Sequence, residues 1–279
     1  MTEQEAFYNE LLADLEAGTL VLPTLPEVAL HVRDVVDDPD ATAGQLAEII
    51  ITDAALSARL LKVVNSPLYR GRVAIDNIQM AVSRLGLTLV RNLVTSLVME
   101  QMFQATSNRL DKYLRALWEH STEVSAICQV LASKNRNLKT DEAMLAGLIH
   151  DIGKLPILMK AEDKPELISN TAALDSVLDN LHTRVGAAIL KSWNFPESLI
   201  AVAAEHENLN RNSQNGPDLV DLVQVANLQS YFNTDRALSP NDLAKVKAFE
   251  KLGIDTEISV SELDENSEEY AEAMALFGF

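Results

Sequence analysis

Four of the five histidines in this chain keep step with apolar residues at helical spacing. His120 precedes Val124, Ile127 and Leu131, so on a helix it lies on their stripe. His182 stands in the same relation to Val185, Ile189 and Trp193, and His206 follows Leu199 and Val202 on one face. Asn227 falls on the stripe of Val220, Val223 and Tyr231. His150 and Asp151 close an unusually apolar segment containing Met144, Leu145, Leu148 and Ile149, where Ala146 and Gly147 leave room for close neighbours. His31 stands apart, on a helix near the N-terminus.

A lone inward histidine is usually a hydrogen-bonded core residue. Here imidazoles, a carboxylate and an amide turn inward from five separate helices. Each would cost roughly 1–3 kcal/mol if buried without a partner, so partners are required. The groups either bond one another and water, or share a cation, and their helical faces alone leave both arrangements open. Imidazole with carboxylate suits a divalent transition metal: Fe, Mn, Ni, Zn or Co.

The elements that must carry these groups are helical throughout. Apolar residues rarely alternate with polar ones over a strand length. Asp53 is expected to cap a helix with the stripe Leu56, Leu60, Val63 and Val64, stopped at Asn65-Ser66-Pro67. A helix around Leu46, Ile49 and Ile50 precedes it, and Ile78 to Met99 forms another, broken near Gly86. Three helices are thus expected before residue 105. Further helices fit Leu117 to Leu131, Asp141 to Asp151, Thr183 to Trp193, Pro196 to His206 and Asp218 to Phe232. Asp141 is read as a cap, Pro196 as a first helical residue and Gly153 as a stop. Asn208 to Pro217 reads as an exposed linker. The expected layout is an N-terminal helical subdomain (1–105), a helical bundle carrying the histidines (106–236) and an acidic helical extension (237–279) that packs in cis or meets a partner.

The formal net charge is −18, a surface that repels phosphate backbones and anionic lipid. The sparse Arg70, Arg72, Arg84 and Arg91 do not form a basic patch, so neither nucleic acid nor membrane is an expected partner. The single cysteine, Cys128, excludes an internal disulfide and lies among apolar residues, as buried packing would have it. An acidic N-terminus without a signal-peptide pattern, and no run of membrane-spanning length, point to the cytoplasm.

The string His150-Asp151-Ile152-Gly153-Lys154 resembles the signature of the HD superfamily of metal phosphohydrolases. In that superfamily an upstream His, the His-Asp pair and a downstream Asp hold the metal. The resemblance places His120 as the upstream ligand and Asn227, in Ala226-Asn227, at the downstream Asp. His182 with Val185-Gly186 resembles the third histidine of the HD-GYP branch. Glu205-His206-Glu207 resembles that branch's His-His-Glu with Glu205 replacing the first His, where it would supply an oxygen ligand. No Gly-Tyr-Pro element follows. The N-terminal half resembles the HDOD family more narrowly, through Leu22-Pro23-Thr24-Leu25-Pro26-Glu27-Val28, Ile50-Ile51-Thr52-Asp53-Ala54-Ala55-Leu56 and Leu60-Leu61-Lys62-Val63-Val64-Asn65-Ser66. That family is helical, acts in bacterial signalling, and normally carries Ala-Asn at the position of Ala226-Asn227.

The resemblance implies a regulatory protein with a partly retained HD-type metal site of His120, His150, Asp151, His182, Glu205, His206 and Asn227. Its output would pass through a signalling protein partner or a nucleotide ligand. The alternative is a metal-dependent phosphohydrolase acting on a phosphomonoester or cyclic dinucleotide. There Asp151 would orient a metal-bound water and Lys154 would neutralise phosphate charge.

Overall fold

The computed structural model describes residues 2–69, 71–104, 110–214, 216–232, 234–257, 259–260 and 264–277, and among them every regular element is a helix. The N-terminal part contains α1 (Glu3–Ala17), α2 (Glu27–Val36), α3 (Ala43–Ile51), α4 (Ala54–Val64), α5 (Ile78–Leu85) and α6 (Leu87–Met99). Local chemistry fixes their starts. Thr2 with Glu5, and Thr42 with Gln45, form capping boxes, while Asp53 and Asn77 accept from the third amide of α4 and α5. Gly86, at φ 87°, supplies the break between α5 and α6 that a side chain would resist. Of the helices expected here, those around Leu46 and after Asp53 are α3 and α4, the one broken near Gly86 is α5 with α6, and the helix of His31 is α2; α1 adds to them, its weak amphipathic pattern leaving little periodic signal.

The second part is built from α7 (Asp111–Ser133), α8 (Thr140–Ile149), α9 (Lys154–Ala161), α10 (Pro165–Ser169), α11 (Thr171–Ser192), α12 (Glu197–Glu205) and α13 (Leu219–Ser230). α11 begins twelve residues before the expected Thr183, so His182 sits in mid-helix rather than ahead of one. Asp141 does not cap α8. It is buried in the first turn, where it accepts a hydrogen bond from Asn92 Nδ2 of α6 at 2.7 Å. α6 is buried along most of its length and packs on α2, α4, α5 and α8, making it the wall shared by the two parts. The expected boundary at 105 falls against residues 105–109, outside those described. The buried apolar residues on either side form one continuous cluster from Phe7 to Phe277. Trp193 Nε1 donates to Pro23 O at 3.0 Å, and Arg33 Nη1 donates to Trp193 O at 2.8 Å, closing a reciprocal clamp between the parts.

The extension folds back on the bundle. α14 (Pro240–Leu243) leads to α15 (Lys247–Leu252), which packs on α13, and α16 (Asp264–Ala275) lies along α7. Lys251 Nζ reaches both Asp221 oxygens at 3.1 Å, and Phe277 meets the Trp118 ring edge-on. The expected linker 208–217 is anchored too. Arg211 within it pairs with Glu205, Asp218 and the buried Asp221.

Two glycines set how closely the bundle helices approach. A Cβ on Gly147 would lie 2.7 Å from Ser125 Cα, so α8 presses directly on the α7 backbone. Gly153 is not the expected stop: α8 ends at Ile149, and Gly153 is the N-cap of α9 in an ordinary conformation at φ −65°. What demands glycine there is space: a Cβ would overlap the His182 carbonyl and lie within 2.5 Å of the Gly186 amide nitrogen. Neither neighbour is a side chain that can swing away. We therefore expect Gly153→Ala to destabilise the protein by about 3 kcal/mol, the upper range for overpacking, read from the urea midpoint. A loss under about 0.5 kcal/mol would show that the contact is not close. Cys128 is fully buried and its thiol pKa is pushed far up by burial. A thiol reagent should leave it unmodified in the native protein and react only after unfolding.

Candidate metal centre

The histidines arrive from the ends and middles of four helices. His120 lies within α7, His150 caps α8, His182 lies within α11 and His206 caps α12. All four Nε2 atoms face one carboxylate. Asp151 Oδ2 is 3.6 Å from His120 Nε2 and 3.5 Å from His150 Nε2. Asp151 Oδ1 is 3.3 Å from His182 Nε2 and 3.6 Å from His206 Nε2. The two groups His120–His150–Asp151 and Asp151–His182–His206 thus share the carboxylate, with one oxygen turned to each.

The opposite nitrogens are occupied. His150 Nδ1 donates to Gly147 O at 2.6 Å, His182 Nδ1 to Leu178 O at 2.8 Å and His206 Nδ1 to Val202 O at 3.0 Å. A carbonyl only accepts, so the proton of each neutral ring is on Nδ1 and Nε2 presents a bare lone pair. Burial lowers the pKa of His182, drives that of His150 well below the usual value and pushes that of His120 down to about 4. In the neutral rings, the His182 and His206 Nε2 lone pairs face each other 3.3 Å apart. Such a contact is repulsive until a cation sits among them. Asp151 Oδ1 and Asn227 Oδ1 are also buried without a hydrogen-bond partner among the described residues. These orphaned acceptors and opposed lone pairs fit a divalent metal, and the imidazole–carboxylate donor set fits one of intermediate softness.

Burial opposes the charge of Asp151, yet the Lys154 ammonium beside it holds its carboxyl well below the usual range. Burial likewise opposes the Lys154 charge, and Asp151, one helical turn away, outweighs it and raises the pKa. Lys154 is therefore a fixed cation that touches the carboxylate from outside the imidazole ring.

The remaining expected residues sit differently. Asn227 is buried, its Nδ2 donating to Glu207 Oε1 at 3.4 Å. Glu205 is held away by Arg211 Nε at 2.8 Å. Glu207 is the carboxylate on the histidine side, with Oε1 3.7 Å from His206 Nε2. Tyr231 stacks on His120 at a centroid distance of 5.3 Å and an angle of 14°. Arg236 lies over the Tyr231 ring. Tyr231 follows Asn227 by one helical turn, a periodic signal that already placed it on the inner face. Arg236 carries no such signal.

A cavity of about 190 Å³ opens beside this cluster, bounded by His120, Lys154, Tyr231 and Arg236 and by the acids Asp175 and Asp179. The arrangement can hold cations inside and present two fixed positive charges at the mouth. Because Glu205 is tied to Arg211 and Glu207 faces His206, Glu207→Gln should weaken Mn²⁺ binding several-fold in calorimetry. Glu205→Gln should leave it unchanged and lower stability by about 1 kcal/mol through the exposed-side ion pair. The reverse ranking would place the oxygen donor on Glu205.

Comparison with known proteins places the chain as follows. Residues 22–209 match the model of the HDOD domain. A solved structure of a candidate metal-dependent phosphohydrolase from Shewanella amazonensis SB2B is 32% identical, with a TM-score of 0.85 over 99% of this chain and 100% of that one. An HDOD domain protein with unknown function from Geobacter sulfurreducens shares the fold, with a TM-score of 0.65 at 23% identity over 99% of each chain. Among curated sequences, an uncharacterized protein of Treponema pallidum is 28% identical over 222 residues, 76% of this chain and 42% of its own length. Ribonuclease Y of Geobacter sulfurreducens is 29% identical over 119 residues, 42% of this chain and 18% of the enzyme. The chain thus spans less than half the length of these curated relatives.

Proposed function

The chain belongs to the HDOD family, and on that premise we propose that it is a bacterial signalling protein whose HD-type site is kept as a two-ion metal centre. The observation that carries this reading is the single carboxylate of Asp151, one oxygen toward His120 and His150 and the other toward His182 and His206. Those residues would hold the ions, with the buried Asn227 and the half-exposed Glu207 beside them. Bound there, divalent ions supply Lewis acidity and a water of lowered pKa. The chain's own groups do the rest: the three backbone-bonded histidines fix their tautomers, and Lys154 balances Asp151 from outside.

Regulation is favoured over turnover by Asn227, which puts a neutral amide where the HD pattern has a carboxylate. The residues that would hold the ions thus bring one negative charge fewer than the HD pattern does. Occupancy of the centre by a transition metal, with a nucleotide or phosphoester at its mouth, would be read by a signalling protein partner. The net charge of −18 disfavours a nucleic-acid partner even though ribonuclease Y matches part of the chain.

A second reading, a metal-dependent phosphohydrolase, draws on the cavity beside His120. Lys154 and Arg236 could each neutralise a phosphate oxygen there, while Asp151 orients the attacking water. The Shewanella neighbour, 32% identical along its whole length, supports it.

Titration of chelator-stripped protein with Mn²⁺, Ni²⁺ and Zn²⁺ tests the centre. We expect saturable binding of two ions, reduced by His150→Ala and strengthened by Asn227→Asp, with cyclic dinucleotides turned over weakly or not at all. No saturable binding in any form would make the cluster a hydrogen-bonded core. Rapid hydrolysis of a cyclic dinucleotide, lost in His150→Ala, would replace the regulatory reading with the enzymatic one.

A further inference from the structure

A second cavity, of about 250 Å³, lies where the N-terminal helices meet the bundle, away from the histidines. Its walls come from α2, α6, the first two turns of α8, the segment 194–196 and the first turn of α12. The floor is apolar, with Leu25, Leu145, Phe195 and Leu199. Arg33 and Arg91 enter from the N-terminal side. Two guanidinium groups in one pocket stand out on a chain of net charge −18.

The charges in the pocket are unequally committed. Glu142 is paired with Lys139 at 2.7 Å. Arg33 bonds Trp193 O and Asp34, so it is largely occupied in holding the two parts together. Arg91 is not. Its acidic neighbour, Asp37, is 3.7 Å away and 61% exposed, and its Nε makes a long 3.3 Å bond to Asn92 Oδ1. An anion that reached Arg91 would displace only that loose contact, and guanidinium suits the paired oxygens of a carboxylate or phosphate. The apolar floor would take a flat ring against Phe195 and Leu199.

The walls also connect this pocket to the metal centre. Glu142 and Leu145 lie on α8, which ends in His150 and Asp151; Ser198 and Leu199 lie on α12, which ends in His206. α8 and α12 are short helices of 10 and 9 residues, so a ligand pressing on their N-terminal turns acts on bodies that carry His150 and His206 at their far ends. We propose that this junction cavity is an effector site for a small aromatic anion, a carboxylate or phosphate on a flat ring, coupled to the metal centre. The coupling, though not the binding, rests on the metal-centre reading above.

The probe is naphthalene-1-phosphonate, which has no ester bond to hydrolyse, with naphthalene-1-carboxylate as the second arm to distinguish the two anion types. In chelator-stripped protein we expect one saturable site, weakened at least tenfold by Arg91→Met. Ser198→Trp, at an exposed position on the rim, should block it, and His150→Ala should leave it intact. Mn²⁺ titrations with and without saturating probe should then differ at least threefold in dissociation constant, with the reciprocal change in probe affinity. Absence of probe binding, or binding indifferent to both Arg91→Met and Ser198→Trp, overturns the site. Binding that leaves Mn²⁺ affinity unchanged overturns its role as an effector site. Failure of Mn²⁺ to bind with or without probe overturns the metal centre, and the effector role with it, while the probe titration still decides whether the cavity binds anions.

Discussion

The Asp151 carboxylate, 1% exposed, must have its negative charge balanced from inside the fold. An isolated buried carboxylate costs several kcal/mol, and removing a partner from a buried ion pair is strongly destabilising. Lys154 meets part of that demand from the next helical turn. The four imidazoles turn their Nε2 atoms to the same two oxygens. As neutral rings, three of them bonded through Nδ1, they add lone pairs rather than positive charge, so the rest of the demand calls for a cation among them. The placement of α7, α8, α11 and α12 follows from delivering those rings to one point.

That convergence requires backbones to touch. Gly147 lets α8 lie on α7, and Gly153 lets the turn after His150-Asp151 settle against the His182 carbonyl of α11. Both glycines flank the carboxylate they help to place, so packing and chemistry are not separable here. A methyl group at Gly147 would push α7 from α8 and so His120 from His150, and one at Gly153 would push the His150-Asp151 turn from α11 and His182.

The surrounding structure stabilises this arrangement without entering it. The clamp through Pro23, Arg33 and Trp193 fixes the N-terminal part against the end of α11. Arg211 and Lys251 converge on the buried Asp221 and draw the 208–217 segment and the extension onto α13. Arg211 also takes the Glu205 carboxylate as a partner, while Glu207 is the acid placed beside His206.

Helical class, the inward phase of the histidines and the HDOD motifs were legible along the chain, because a 3.6-residue period and a contiguous motif are properties of local sequence. The stripes of His120, His182 and Asn227 needed only spacing to be seen. Which of Glu205 and Glu207 faces His206 was not legible: helical phase ends at His206, and Arg211, several residues on, sets the direction of the chain and of Glu205. Asp141 failed as a cap for a similar reason, since Asn92 on a distant helix offers its carboxylate a buried hydrogen bond. The sequence by itself determined the helices and the groups they point inward. Only the tertiary structure decided that Asp151 divides its oxygens between two histidine pairs, because that depends on backbone contacts between helices, at Gly147 with α7 and at Gly153 with α11, that no local period encodes.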